Sequence, residues 1–215
     1  MKKVLLAASL LFASFAGNAS TDVLGDFIAD LPSQQGLPLQ SATVVAPKPV
    51  GNVPNYIADL DTISAKQLKV LEYSLRYGNK YDAKTGKLVE VEKTKRLGYH
   101  LAAIAWIESR ACVDTGKDKK NHRAYGCWQV TTTSVTSRSD KLYPRRQVIN
   151  QLETMRGGSH YAMQELEYWL TYHKGNIRKA LASYNKGFRY KDPRAQQYAK
   201  MVMTTARLLE EKQIL

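Results

Sequence analysis

Leu97-Gly98-Tyr99-His100-Leu101-Ala102-Ala103-Ile104-Ala105-Trp106-Ile107-Glu108-Ser109-Arg110-Ala111 is the stretch on which the fold turns. Leu97, Leu101, Ile104, Glu108 and Ala111 recur at steps of four, three, four and three, the spacing of one helix face. A helix from about Thr94 to Ala111 is expected. One member of that apolar face is a carboxylate. Such a group must be paired, neutral or functional, because an isolated buried charge is too costly to keep. Glu108 is therefore the first candidate catalytic residue. The alternative is a structural glutamate paired with Arg110, Arg123 or another base.

Helical signals extend in both directions. Ser64-Ala65-Lys66-Gln67 fits a capping box, Leu68, Leu71 and Leu75 follow at helical spacing, and Gly78 is expected to stop that helix. Leu88 to Val91 reads as a short strand of a small hairpin. Residues 112–127 read as a loop, and the Thr/Ser-rich run after Gln129 as a short helix. A long helical pattern runs from Val148 to about His173, with a break expected near Gly157-Gly158. Asn176 caps a helix that Gly187 stops, and a last helix covers Arg194 to Leu209 with Tyr198, Val202, Thr205 and Leu209 on one stripe. Strand signal is scarce, so the fold class is mainly α.

Of 215 residues, 44% are hydrophobic and 24% charged, which fits one globular domain with appendages and excludes collagenous, disordered and disulfide-scaffold classes. Residues 1–19 read as a secretory signal peptide: Lys2-Lys3, an apolar run from Val4 to Ala16, then Gly17-Asn18-Ala19. Cleavage is expected after Ala19, or else after Ala16; a buried helix and an uncleaved anchor are the alternatives. Residues 20–55 hold five of the seven prolines and read as an extended leader, a place for envelope machinery or a phage or secretion partner to dock. The globular domain is expected over 56–215. Export places the chain in the periplasm or cell envelope, where the isolated pair Cys112 and Cys127 is expected to bond, two reduced buried thiols being the alternative. No histidine has ligand spacing near the cysteines, so neither metal nor cofactor is expected. The net charge of +13 attracts anionic polymers, and export turns the choice from nucleic acid to cell wall.

Four short pieces follow in order: Ile107-Glu108-Ser109, Tyr125-Gly126-Cys127-Trp128-Gln129, Ser183-Tyr184-Asn185-Lys186-Gly187 and Tyr198-Ala199-Lys200-Met201-Val202. Together they resemble the soluble lytic transglycosylase family, lysozyme-like enzymes that cut bacterial peptidoglycan. The family's pieces are Glu-Ser, Gly-Leu-Met-Gln, Ala-Tyr-Asn-x-Gly and Tyr-Val-x-x-Val. Cys127-Trp128 stands where Leu-Met is usual, Ser183 replaces Ala, and Ala199 replaces the first Val. The resemblance spans roughly residues 95–205. It implies a helical domain of the goose-type lysozyme kind, with at most a small β-hairpin.

The resemblance also implies a reaction, in which Glu108 protonates the leaving glycosidic oxygen and then acts as base. The muramic acid C6 hydroxyl displaces the bond with help from the N-acetyl group, leaving a 1,6-anhydro sugar. Desolvation on an apolar face would raise the acid's pKa as that role requires. Tyr184 by resemblance hydrogen-bonds and orients the carboxyl, and Tyr198 lines the cleft; the alternative for both is a core tyrosine. Gln129 is a candidate for binding an N-acetyl or hydroxyl group, or an ordinary loop residue. Asn185 caps its helix or touches sugar. Ser109 bonds Glu108, the substrate or its own helix, and Trp128 offers a flat face to a pyranose or belongs to the core. The competing functions are a hydrolysing muramidase, which would use a second carboxylate such as Asp114 or Asp118, a non-catalytic wall-binding module, and a nucleic-acid binder.

Overall fold

The computed structural model describes residues 54–82, 84–115, 123–138 and 143–215. The signal peptide, the leader as far as Val53, and Asp118 lie outside the described residues. The domain is mainly helical: α1 (Asn55–Ala58), α2 (Ala65–Lys80), α3 (Gly98–Ser109), α4 (Thr132–Thr136), α5 (Arg145–Leu152), α6 (Met155–Tyr172), α7 (Ile177–Lys186) and α8 (Pro193–Glu211). Two antiparallel hairpins interrupt them, where one was expected. β1 (Tyr81–Asp82) pairs with β2 (Lys87–Leu88), and β3 (Ala124–Tyr125) with β4 (Val130–Thr131). Among the described residues no helix is long and apolar enough to cross a membrane.

The helix α3 is the centre. Leu101 to Trp106 are six consecutive buried residues, so the helix is buried on every side rather than along one stripe. It packs between α2 and α8, with α6 also against it. Each fully buried Leu or Ile here contributes roughly 1.5–3 kcal/mol through the hydrophobic effect. Trp106 donates its indole N–H to the Tyr56 carbonyl at 2.7 Å, which ties α1 to the core.

Two glycines set the approach of α2 and α3. Gly78 does not stop α2, which continues to Lys80. Instead it is buried, and a Cβ there would lie 2.8 Å from Gly98 Cα. A Cβ on Gly98 would lie 2.3 Å from the Leu75 carbonyl oxygen. The capping box forms as expected, with Ser64 Oγ accepting from Gln67 N–H and Gln67 Oε1 accepting from Ser64 N–H.

The long pattern breaks earlier than Gly157-Gly158. The chain turns at Glu153-Thr154, and Thr154 Oγ1 accepts from Gly157 N–H to start α6. The two glycines lie inside the first turns of α6 because that surface meets other parts closely. A Cβ on Gly158 would sit 2.9 Å from the Trp128 ring, and one on Gly157 2.3 Å from the Gln151 carbonyl oxygen. Asn176 caps α7, Gly187 at φ 57° ends it, and Tyr198, Val202, Thr205 and Leu209 of α8 are all buried as the stripe required.

Gly98→Ala tests the α2–α3 approach, since the Leu75 backbone carbonyl, which cannot swing aside, blocks the added methyl together with the Asn79 side chain. We expect a loss of at least about 2 kcal/mol of stability by urea unfolding; an unchanged midpoint would mean the helices are not in contact there.

Candidate active site

Glu108 lies in the last turn of α3, half-buried, with the core beneath it. Among the described residues no Lys, Arg or His pairs with it. Arg110 turns away to Asp59, Nε to Oδ2 at 3.1 Å, and its guanidinium stacks over Trp106. Burial therefore acts unopposed by a cation and pushes the Glu108 carboxyl up to about 7, while Tyr198 pulls weakly the other way. Such a group holds its proton at near-neutral pH and still reaches solvent.

Two tyrosines from later helices face this carboxyl. Tyr198 of α8 is buried, and its hydroxyl has no hydrogen-bond partner at ordinary distance. It is close enough to Glu108 for each to shift the other's titration. A buried hydroxyl beside a protonated acid is a polar slot that a ligand oxygen can enter. Tyr184 of α7 also feels the Glu108 charge, and burial keeps its phenol neutral far above the usual range. Its hydroxyl, however, donates to the Trp128 carbonyl at 2.9 Å rather than to the acid. The expected orienting bond from Tyr184 to the carboxyl is therefore replaced by a bond that locks the neighbouring turn.

The chain leaves α3 by an unusual path. Arg110, Ala111 and Cys112 have φ of 51°, 52° and 71°, three consecutive left-handed residues without a glycine. Each costs roughly 1–2 kcal/mol for an L-residue. Several bonds hold the turn: Ala111 N–H to the Ala105 carbonyl, Cys112 N–H to Ser109 Oγ at 2.8 Å, and Gln67 Nε2 to the Arg110 carbonyl at 3.0 Å. The Cys112–Cys127 disulfide closes it onto the β3–β4 turn. The expected disulfide is thus present, and it fixes the exit from the acid-bearing helix.

Ser109 is buried and touches neither Glu108 nor a cleft. Its Oγ donates to the Cys127 carbonyl at 2.7 Å and to the Ala105 carbonyl at 3.2 Å, so it binds the two turns together. Trp128 is likewise no sugar platform. It is fully buried, donates its N–H to the Leu101 carbonyl and packs on Gly158. Gln129, at φ 49°, spends both amide protons on the Thr115 and Gly126 carbonyls, and among the described residues its amide oxygen takes no bond. Asn185 is exposed at the end of α7, beside Tyr184, while the capping of that helix falls to Asn176. Ser183, which departs from the family's Ala, is buried and bonds His173 Nε2 at 2.8 Å.

Arg138 had no signal in the sequence, being a lone cation after a Thr/Ser run. It forms an ion pair with the buried Glu165, lies over the Tyr168 ring, and acts electrostatically on Tyr184. It extends the site from Glu108 toward α6. A groove of about 890 Å³ lies elsewhere, lined by Tyr81, Glu90, Arg96, His100, Glu167 and neighbours. His100 is eight residues before Glu108, roughly 12 Å along the helix, and two of that groove's charges, Arg96 and Glu90, neutralise each other. Among the described residues no group of three His, Cys, Asp or Glu is placed to hold a metal ion.

Two measurements test this geometry. Glu108 titrates near 4.5 when unfolded and about 7 when folded, so the folded chain keeps a proton the unfolded chain has lost. Stability falls as pH rises through that window. Glu108→Gln removes the effect. The variant is expected to exceed wild type by up to about 3 kcal/mol at about pH 8, with the difference vanishing below about pH 4. Equal urea midpoints at the alkaline end would mean an ionised, solvated carboxyl. Reducing the disulfide, which closes a 15-residue separation, should cost about 3 kcal/mol by chain entropy and relax the left-handed turn. A melting temperature indifferent to reductant, with two free thiols in native protein, would refute the brace.

No family model matches the chain, and no solved structure matches it. A search of curated proteins finds an uncharacterized 20.7 kDa protein of Enterobacteria phage T4, from the vs-regB intergenic region. The two are 33% identical over 159 residues, which cover 72% of this chain and 86% of the phage protein. At that identity and coverage, the chain belongs to the same family as this phage T4 protein.

Proposed function

We propose that the chain is an exported peptidoglycan lytic transglycosylase with a lysozyme-like helical domain, and that Glu108 is its acid and base. The observation that carries this reading is the Glu108 carboxyl, which no cation among the described residues pairs, held protonated to about 7 with the buried Tyr198 hydroxyl beside it. A protonated carboxyl at the wet edge of a core is what cleavage of a glycosidic bond requires. Glu108 gives its proton to the glycosidic oxygen between N-acetylmuramic acid and N-acetylglucosamine as the C1–O bond breaks. The carboxylate then takes the proton of the muramic acid C6 hydroxyl, whose oxygen closes on C1. The sum consumes no water and yields the 1,6-anhydro sugar.

Two further features support the route. Among the described residues no second carboxylate shifts the titration of Glu108, which suits a mechanism where the substrate supplies its own nucleophile. Tyr198 lies where its hydroxyl can bond the carboxylate formed in the first step. Gln129 offers one amide oxygen to an N-acetyl N–H, and Asn185 stands exposed beside Tyr184. The excess of Lys and Arg favours encounter with an anionic wall polymer.

Digestion of purified peptidoglycan by residues 20–215, followed by mass spectrometry, tests the reading. Fragments ending in 1,6-anhydromuramic acid are expected from wild type, with at least about a thousandfold loss in Glu108→Gln. Activity should fall as pH rises through about 7, where the acid loses its proton. Fragments carrying added water would instead mean a hydrolase, and intact sacculi from both proteins would remove the enzyme reading.

A further inference from the structure

Beyond Glu108, along α6 and the turn after α7, lies an aromatic face that the acid chemistry does not use. Phe188 is 68% exposed, Tyr172 53% and Tyr168 41%. Large rings exposed together on one face mark a binding surface more often than scattered ones do. Trp169 underlies all three. Its ring centroid lies 4.9 Å from Tyr168, 5.7 Å from Tyr172 and 5.2 Å from Phe188, at interplanar angles of 79°, 81° and 82°. Tyr172 and Phe188 also meet each other, at 5.6 Å. These edge-to-face contacts hold the exposed rings in place before any ligand arrives, so little freedom is lost on binding.

Arg138 joins the face to the residues around the acid. The Arg138 guanidinium sits 4.2 Å from the Tyr168 centroid and acts on Tyr184, which in turn feels the Glu108 charge. Phe188 lies in the short 3-10 turn that follows Gly187, just beyond the end of α7 that carries Tyr184. The chain leading up to it is one-sided in charge, with Asp192 the first acid beyond. From Tyr172 to Lys191 there are six Lys and Arg residues and neither Asp nor Glu. Flat rings set among cations fit a polymer that presents ring faces and carboxylates together.

We propose that Tyr168, Tyr172 and Phe188 form a saccharide-binding platform for a glycan strand bearing carboxylate side groups, one or more sugars away from the bond cleaved at Glu108. The proposal rests on the glycan-cleaving reading and names the surface that holds the strand. Single-stranded nucleic acid also stacks on rings among cations. The acid proposed at Glu108, whose chemistry suits an acetal oxygen, favours the glycan.

The test uses Tyr172→Ala with Phe188→Ala, placed in wild-type and Glu108→Gln protein, and Phe188→Trp as the conservative variant. Binding is read by co-sedimentation of the Glu108→Gln forms with purified peptidoglycan. Cleavage is read as kcat and half-saturating substrate in the active forms. Circular dichroism confirms that the exposed substitutions leave the fold intact. The expected result is at least about a tenfold loss of sedimentation affinity and a matching rise in half-saturation, with kcat kept within about twofold and Phe188→Trp close to wild type. Unchanged binding while wild type still cleaves would overturn the platform and leave the cleavage reading standing. Platform-dependent binding without any cleavage would support the platform and sink the transglycosylase. Binding of an oligothymidylate that the double substitution abolishes, with peptidoglycan binding untouched, would reassign the face to nucleic acid.

Discussion

The rest of the site depends on Trp128. Its indole N–H reaches the Leu101 carbonyl on α3, its ring fills the space left by Gly158 on α6, and its own carbonyl takes the Tyr184 hydroxyl from α7. One buried residue, by its ring and its backbone carbonyl, therefore fixes three helices relative to each other. Each bond lies in low dielectric, where leaving a polar group unpaired would cost more than the bond itself contributes. The acid and its two tyrosines come from α3, α7 and α8, and they meet because this wedge holds the first two at a set distance.

Strain and restraint are placed on either side of Glu108. The three left-handed residues after Ser109 are unfavourable by themselves, and a hydroxyl, several backbone bonds and a disulfide hold them. The carboxyl is unfavourable in its charged form, and the fold supplies it with tyrosines instead of a cation. Unfavourable backbone and a desolvated acid at one point are the pattern of a pre-organised site rather than of a region optimised for stability. The buried pair of Arg138 and Glu165 shows the contrast, since there the fold neutralises a charge that it buries.

Much of this was legible in the chain. The period of α3 and the position of Glu108 within it follow from local spacing, as do the Ser64 and Asn176 caps and the stripe on α8. Local rules served less well at the glycines. Gly78, Gly157 and Gly158 were expected to stop or break helices, because a glycine is a weak helix former. They lie inside helices because a neighbouring backbone or the Trp128 ring approaches too closely for a Cβ. That requirement belongs to pairs of elements distant in sequence, so no window of the chain contains it. The same reason hid Arg138 and moved Ser109 and Trp128 from the expected substrate contacts into the framework.

The sequence by itself determined that the domain is mainly helical, that one carboxylate lies on its most apolar helix, and that two cysteines stand near that acid. These depend on periodicity and composition, which are properties of neighbouring residues. Only the tertiary structure decided that Glu108 has no cation partner among the described residues, that the buried Tyr198 hydroxyl stands beside it, and that Tyr184 serves the Trp128 carbonyl. Burial and hydrogen bonding are set by what the packed chain brings within a few ångströms, and here that comes from helices some 75 to 90 residues further along.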